Sequence, residues 1–105
     1  MNVLPSELCG FGLKCLEAYG VPRDRVEVVI DHLITASLRG VDSHGIIRLP
    51  YYSDGIEKGY VKPVAKITVL KETPVMALID GGMGLGIFMA TYSTRLAIKK
   101  ARSSE

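Results

Sequence analysis

Ser43, His44, Arg48, Tyr51 and Tyr52 stand within one short run, Gly40-Val41-Asp42-Ser43-His44-Gly45-Ile46-Ile47-Arg48-Leu49-Pro50-Tyr51-Tyr52. On a helix that begins at Ser43, His44 and Arg48 are four positions apart and share a face. Tyr51 and Tyr52 fall close to the same stripe one or two turns on. These residue types form a tool kit for a small anionic carbonyl compound. A guanidinium holds a carboxylate through two parallel charge-assisted hydrogen bonds. Histidine passes a proton near neutral pH. Ser43 can hydrogen-bond the imidazole or a substrate oxygen, and the neighbouring glycines leave room for a ligand beside the backbone. The spacing alone also suits a plain helix cap beside a surface histidine.

A second constellation is strand, glycines, helix. Residues 75–80 form an apolar run, Gly81, Gly82, Gly84 and Gly86 follow, and a helical pattern begins near Leu85. Helix N-termini favour phosphate, which invites a dinucleotide reading. The fingerprint G-x-G-x-x-G is absent, however. Counting from Gly82 the sixth position is Ile87, and from Gly84 it is Met89. No further strand completes a βαβ unit. The simpler reading is a tight turn that lets a helix pack closely on a strand.

The elements that must position these residues follow from periodicity. Ser6 is an N-cap candidate and Gly20 a stop for a first helix, whose apolar stripe is Leu8, Phe11, Cys15, Ala18 and Tyr19. Pro22 suits the first turn of a second helix that ends at Gly40, with Val26, Val29, Ile30, Leu33 and Ala36 inward. A third helix is expected from Asp42 or Ser43 to Gly59, carrying Ile46, Leu49 and Ile56 inward, with Pro50 kinking or splitting it. Residues 65–71 alternate as a half-buried strand does, Thr73-Pro74 makes a turn, and residues 75–80 form a more buried strand. A last helix runs from about Leu85 to Arg102. The fold class is therefore α+β, non-Rossmann: a three-helix segment over residues 1–62, then strand, strand and helix over 63–105.

The balance of charge excludes other classes. Thirteen Lys+Arg against 11 Asp+Glu give a net charge of +2, without the concentrated basic face that nucleic acid demands. A helix-turn-helix reader would need a basic third helix, but Arg48 and Lys58 there are offset by Asp54 and Glu57. Lys99, Lys100 and Arg102 fit a solvated last helical turn. His32, beside Asp31, reads as a surface histidine. Cys9 and Cys15 are six apart, about 120° out of line on a helix, and read as small apolar residues rather than a disulfide or metal site. No metal site is expected. No apolar run approaches the roughly 18 residues of a membrane span, and residues 1–8 lack a leader pattern. A cytoplasmic protein is the expectation.

The motif Asp42-Ser43-His44-Gly45, then Arg48, Pro50 and Tyr52, resembles the signature of the malate/L-lactate dehydrogenase family of the second type, which includes sulfolactate, ureidoglycolate and diketogulonate oxidoreductases. The likeness extends through Leu33 to Gly40, Glu57-Lys58-Gly59, Pro63, Asp80-Gly81 and Gly84-Leu85-Gly86, so that it covers nearly the whole chain. The resemblance implies hydride transfer between NAD or NADP and a 2-oxo or 2-hydroxy acid. It implies a proton-donor role for His44 with Ser43 beside it, substrate-carboxylate binding by Arg48, and a place for Tyr52 in the substrate pocket. It implies a homodimer in the intact protein and no membrane or nucleic-acid partner. Family chains are roughly three times this length, beyond a single domain. The chain is therefore expected to be an N-terminal portion, inactive alone, without most of the cofactor-binding region or a second histidine, and with exposed apolar surface. The alternative is an inactive helical binding or dimerisation module.

Overall fold

The computed structural model describes residues 2–104. Helix α1 spans Pro5–Ala18 and α2 spans Arg23–Leu38; two 3-10 turns, Asp42–His44 and Ile46–Arg48, lead into α3, Leu49–Glu57. Strands β1 (Thr68–Thr73) and β2 (Met76–Asp80) form an antiparallel hairpin, and α4 (Gly86–Ser103) closes the chain. The architecture is α+β, with helices first and a two-stranded sheet and helix after them.

Apolar periodicity in α2 organises the core. Val26, Val29, Ile30 and Leu33 are fully buried, and Leu16 of α1, Val21, Leu49 of α3 and Leu85 complete the cluster. Burying each Leu, Ile or Val contributes roughly 1.5–3 kcal/mol. On α1 the inward face is Cys9, Gly12, Leu13 and Leu16, whereas Phe11 is 63% exposed and Ala18 faces solvent. The expected stripe through Phe11 and Ala18 is thus rotated, because Gly12 and Leu16 take the contact with α2.

Several boundaries differ from expectation for local reasons. Ser6 does not cap α1: Pro5 already occupies the first turn, and Leu4 precedes it with no side-chain cap. Pro22 stands at the N-cap of α2 rather than inside it. The third helix is broken, but not at Pro50. Gly45 is extended (φ −94°, ψ −151°) and separates the two 3-10 turns. Pro50 lies in the first turn of α3, where its missing N–H leaves no internal bond unmade. Strand β1 begins at Thr68, not at residue 65; Ala65 is instead buried before the sheet starts.

Strand β2 is half-buried at Ala77 and Ile79 and exposed at Met76, Leu78 and Asp80, whereas β1 is half-buried only at Thr68. The pairing joins Thr68 to Asp80 and Thr73 to Met76, with an irregularity between Val69 and Lys71. At the tip Thr73 Oγ1 accepts the N–H groups of Val75 (3.3 Å) and Met76 (3.1 Å). Leu70, Val75, Met76 and Leu78 are each more than half exposed, in keeping with the expected uncovered apolar surface.

Two polar fastenings tie the second half together. Arg25 Nη1 donates to the Ala65 carbonyl at 2.8 Å while its guanidinium lies 4.8 Å from the Phe88 ring centre, so α2 holds both the segment before β1 and α4. Lys100 Nζ donates to Glu72 Oε1 at 2.8 Å and to the Thr73 carbonyl at 2.7 Å, holding α4 to the hairpin tip. Lys100 is therefore not simply a solvated cation. The molecule is extended, with a radius of gyration of 15.3 Å against about 13 Å for a compact chain of this length. No described helix is long and apolar enough to cross a membrane.

Candidate active site

The site begins where α2 stops. Gly40 takes the left-handed conformation (φ +79°) that a side chain resists. Its N–H donates to the Ser37 carbonyl at 3.1 Å, and the Val41 N–H donates to the Ala36 carbonyl at 2.9 Å. This pair of bonds satisfies the last carbonyls of α2 and turns the chain back on itself. The turn Asp42–His44 follows at once, so Ser43 and His44 are displayed at the end of a rigid helix.

Gly45 fixes the distance of that turn from α2. It is buried, and a Cβ there would collide with Ser37 Oγ and stand 3.2 Å from Ser37 Cα. Ser37 Oγ in turn accepts the Ile46 N–H at 3.0 Å. The turn is thus pinned to α2 by one close approach and one hydrogen bond.

His44 and Arg48 do not share a helical face, since the extended Gly45 lies between them. They meet instead through Ser43. Its hydroxyl lies 2.8 Å from His44 Nδ1, and its carbonyl accepts Arg48 Nε at 2.9 Å. When the ring is protonated, Nδ1–H donates to the Ser43 hydroxyl and Nε2–H is left to serve a ligand. Holding Arg48 through Nε leaves its other guanidinium nitrogens available, and they lie over Tyr51, with 5.8 Å from the guanidinium carbon to the ring centre. Tyr51 is otherwise exposed. Tyr52 is half-buried against the core; burial pushes its phenol above the usual range, and the Arg48 charge partly opposes the shift. Ser43, His44 and Arg48 are therefore one constellation, with Tyr52 at its inner edge.

The sequence pattern did not join the groove beside His44 to the site. His44 borders a groove of about 730 Å³ between α2 and α4, whose walls include Asp31, His32, Thr35, Arg39 and Arg95. That volume lies in the range of small-molecule sites. Thr35 and Arg39 were legible as neighbours four apart on the polar face of α2. Nothing local brings Arg95 of α4 to the same place.

The glycine turn after β2 does not form a phosphate cradle. Asp80 Oδ1 accepts the Gly82 N–H at 2.8 Å, and the Met83 carbonyl accepts the Lys62 N–H at 2.8 Å. A Cβ at Gly82 would meet the Lys66 carbonyl oxygen at 2.7 Å, and one at Gly84 would meet Ala65 Cβ at 2.8 Å. Protein already fills the space these glycines leave. The turn serves the close packing of α4, and the described residues offer no fit for a dinucleotide's phosphates there.

The sequence profile of malate/L-lactate dehydrogenases matches residues 3–104. The chain belongs to this family. It is 44% identical over 104 residues to a malate dehydrogenase of Pyrococcus horikoshii, covering 99% of this chain and 29% of that protein. It is 39% identical over 91 residues to an L-sulfolactate dehydrogenase of Methanocaldococcus jannaschii, covering 87% of this chain and 26% of that protein. The solved structure of the Pyrococcus horikoshii malate dehydrogenase superposes with a TM-score of 0.96 over 99% of this chain and 30% of that one. The Methanocaldococcus jannaschii sulfolactate dehydrogenase superposes with a TM-score of 0.94 at 35% identity, over 97% of this chain and 30% of that one. The chain thus spans less than a third of the length of these relatives. In the malate/L-lactate dehydrogenase fold the helices and hairpin described above are the N-terminal portion.

Proposed function

We propose that this chain supplies the substrate side of a nicotinamide-dependent 2-hydroxy-acid dehydrogenase. The observation that carries the reading is the Ser43 bridge, which sets an imidazole and a guanidinium side by side at the end of α2. In this reading Arg48 grips the C1 carboxylate. His44 Nε2–H faces the C2 oxygen and gives its proton as negative charge develops there, with Ser43 holding Nδ1. In the reverse direction the same nitrogen takes the hydroxyl proton. Tyr52 walls the inner side of the pocket as a neutral phenol. NAD or NADP supplies or accepts the hydride when bound. The chain spans less than a third of the relatives' length, and in this reading it does not turn over by itself. The working enzyme is a homodimer.

The relatives act, by name, on malate and sulfolactate. Both acids carry a second anionic group on the carbon next to the hydroxylated one. We carry that substrate class to this chain. The test is a graft in which residues 1–104 replace the matching segment of the Pyrococcus horikoshii enzyme. NADH or NADPH consumption is followed with oxaloacetate. Turnover supports the reading. A graft that is folded by circular dichroism yet inert with 2-oxo acids overturns it.

A further inference from the structure

We infer that Arg39 reads the second anionic group of the substrate and so sets the preference for dianionic over monoanionic hydroxy acids. The inference rests on the dehydrogenase reading above and deepens it. The starting point is that His44 lines the groove between α2 and α4, whereas Arg48 is not among its walls. A substrate held at C1 by Arg48 and at C2 by His44 therefore directs its third and fourth carbons into that groove.

The charge along the groove is ordered. Glu27, Asp31, Thr35 and Arg39 recur every four residues on one face of α2 and all line it. At a rise of 1.5 Å per residue, Glu27 and Arg39 lie roughly 18 Å apart along the helix. The acidic end is thus remote from His44. Arg39 is the last residue before Gly40 and the turn that bears His44, so the cationic end adjoins the reacting centre. A four-carbon diacid spans only about 4 Å between its carboxyl carbons by the reach of extended chain, which places its second anion at the Arg39 end. Among the described residues Arg39 and Arg95 enter no ion pair within 4 Å. The Arg39 guanidinium is free to meet a carboxylate or a sulfonate, both of which accept paired N–H donors. Arg95, on the opposite wall, raises the local positive potential, while Asp31 and Glu27 repel an anion that strays farther along α2.

The experiment is a titration of the grafted enzyme, held as its reduced-nicotinamide complex so that neither acid can react, with L-malate and L-lactate, followed by NMR of the His44 ring and the arginine Nε–H groups. The variants are Arg39→Gln and Arg95→Gln. L-malate is expected to bind about tenfold more tightly than L-lactate, the worth of one added charge-assisted pair. Arg39→Gln should bring the ratio to within about twofold, whereas Arg95→Gln should leave most of it. A ratio unchanged by Arg39→Gln, or reduced equally by both substitutions, overturns the inference. If both acids shift His44 alike, the inference fails but the dehydrogenase reading stands. If neither acid moves His44 or Arg48, both fail.

Discussion

Replacing Gly45 with alanine should unfold the candidate site and destabilise the whole chain. The φ of −94° at Gly45 is open to any residue, so the cost is steric. A methyl there meets Ser37 Oγ and then Ser37 Cα at 3.2 Å. The first obstacle can rotate away, but the second is backbone on a helix whose other side is the core. Overpacking of this kind costs about 1–3 kcal/mol. Rotating Ser37 also breaks its bond to the Ile46 N–H, worth about 0.5–1.5 kcal/mol. The sum, about 1.5–4.5 kcal/mol, is a large part of the stability of a small domain. It corresponds to a fall in Tm of at least about 6 °C. Gly10→Ala is the matched control. Gly10 lies inside α1, and a methyl added to it would have nothing within 4 Å, so alanine should stabilise by about 0.5–1 kcal/mol. Thermal and urea unfolding at 222 nm, at one fixed protein concentration, compares them. Ser37→Ala costs its hydrogen bond alone, and the double variant Ser37→Ala/Gly45→Ala should lose less than the two single changes summed. Equal Tm values for Gly45→Ala and the parent chain would refute the close-approach argument.

Three further outcomes follow from the same geometry. Arg25→Ala removes the bond to Ala65 and the stacking on Phe88 and should cost about 2–3 kcal/mol in urea unfolding, with Arg25→Lys recovering only part. The Lys100 ammonium holds the Glu72 carboxyl below its usual range. That clamp contributes fully above the ordinary carboxylate pKa of about 4.3 and is lost as pH falls through the lowered folded value. Amide protection factors in residues 72–76, corrected for the intrinsic exchange rate at each pH, should therefore fall in acid, and Glu72→Gln should abolish that fall. Tyr52, raised by burial and partly restrained by Arg48, should ionise above the ordinary phenol range in an ultraviolet titration. Arg48→Gln should move it higher still. Because the shift is upward, its contribution to stability is present below about pH 10 and is lost as pH rises through the folded value.

Much of the fold was legible because α2 is strongly periodic and three helices end at glycines. The bonds that close α1, Gly20 N–H to Glu17 and Val21 N–H to Leu16, repeat those that close α2. The break in the third helix was misplaced at Pro50, since proline is disruptive only beyond the first turn. The true break at Gly45 depends on the approach of Ser37, a contact no local pattern reveals. Residues 65–71 alternate in sequence, yet the strand starts later because Ala65 is drawn into the contact with Gly84 and Arg25. At the site, residue type alone points to Ser43, His44 and Arg48, but their connection was expected along a helical face and proves to run through Ser43. His32, Arg39 and Arg95 were not joined to them because their groove needs α4 to fold back across α2.

The central claim is that His44 delivers the proton and Arg48 holds the carboxylate. Steady-state kinetics of His44→Ala and Arg48→Lys in the grafted enzyme test it most directly. The account predicts a fall in kcat of about 10²–10⁴ for the first and a raised KM with a smaller change in kcat for the second. Kinetics unchanged in both variants, or the same rise in KM from each with kcat preserved, would contradict it.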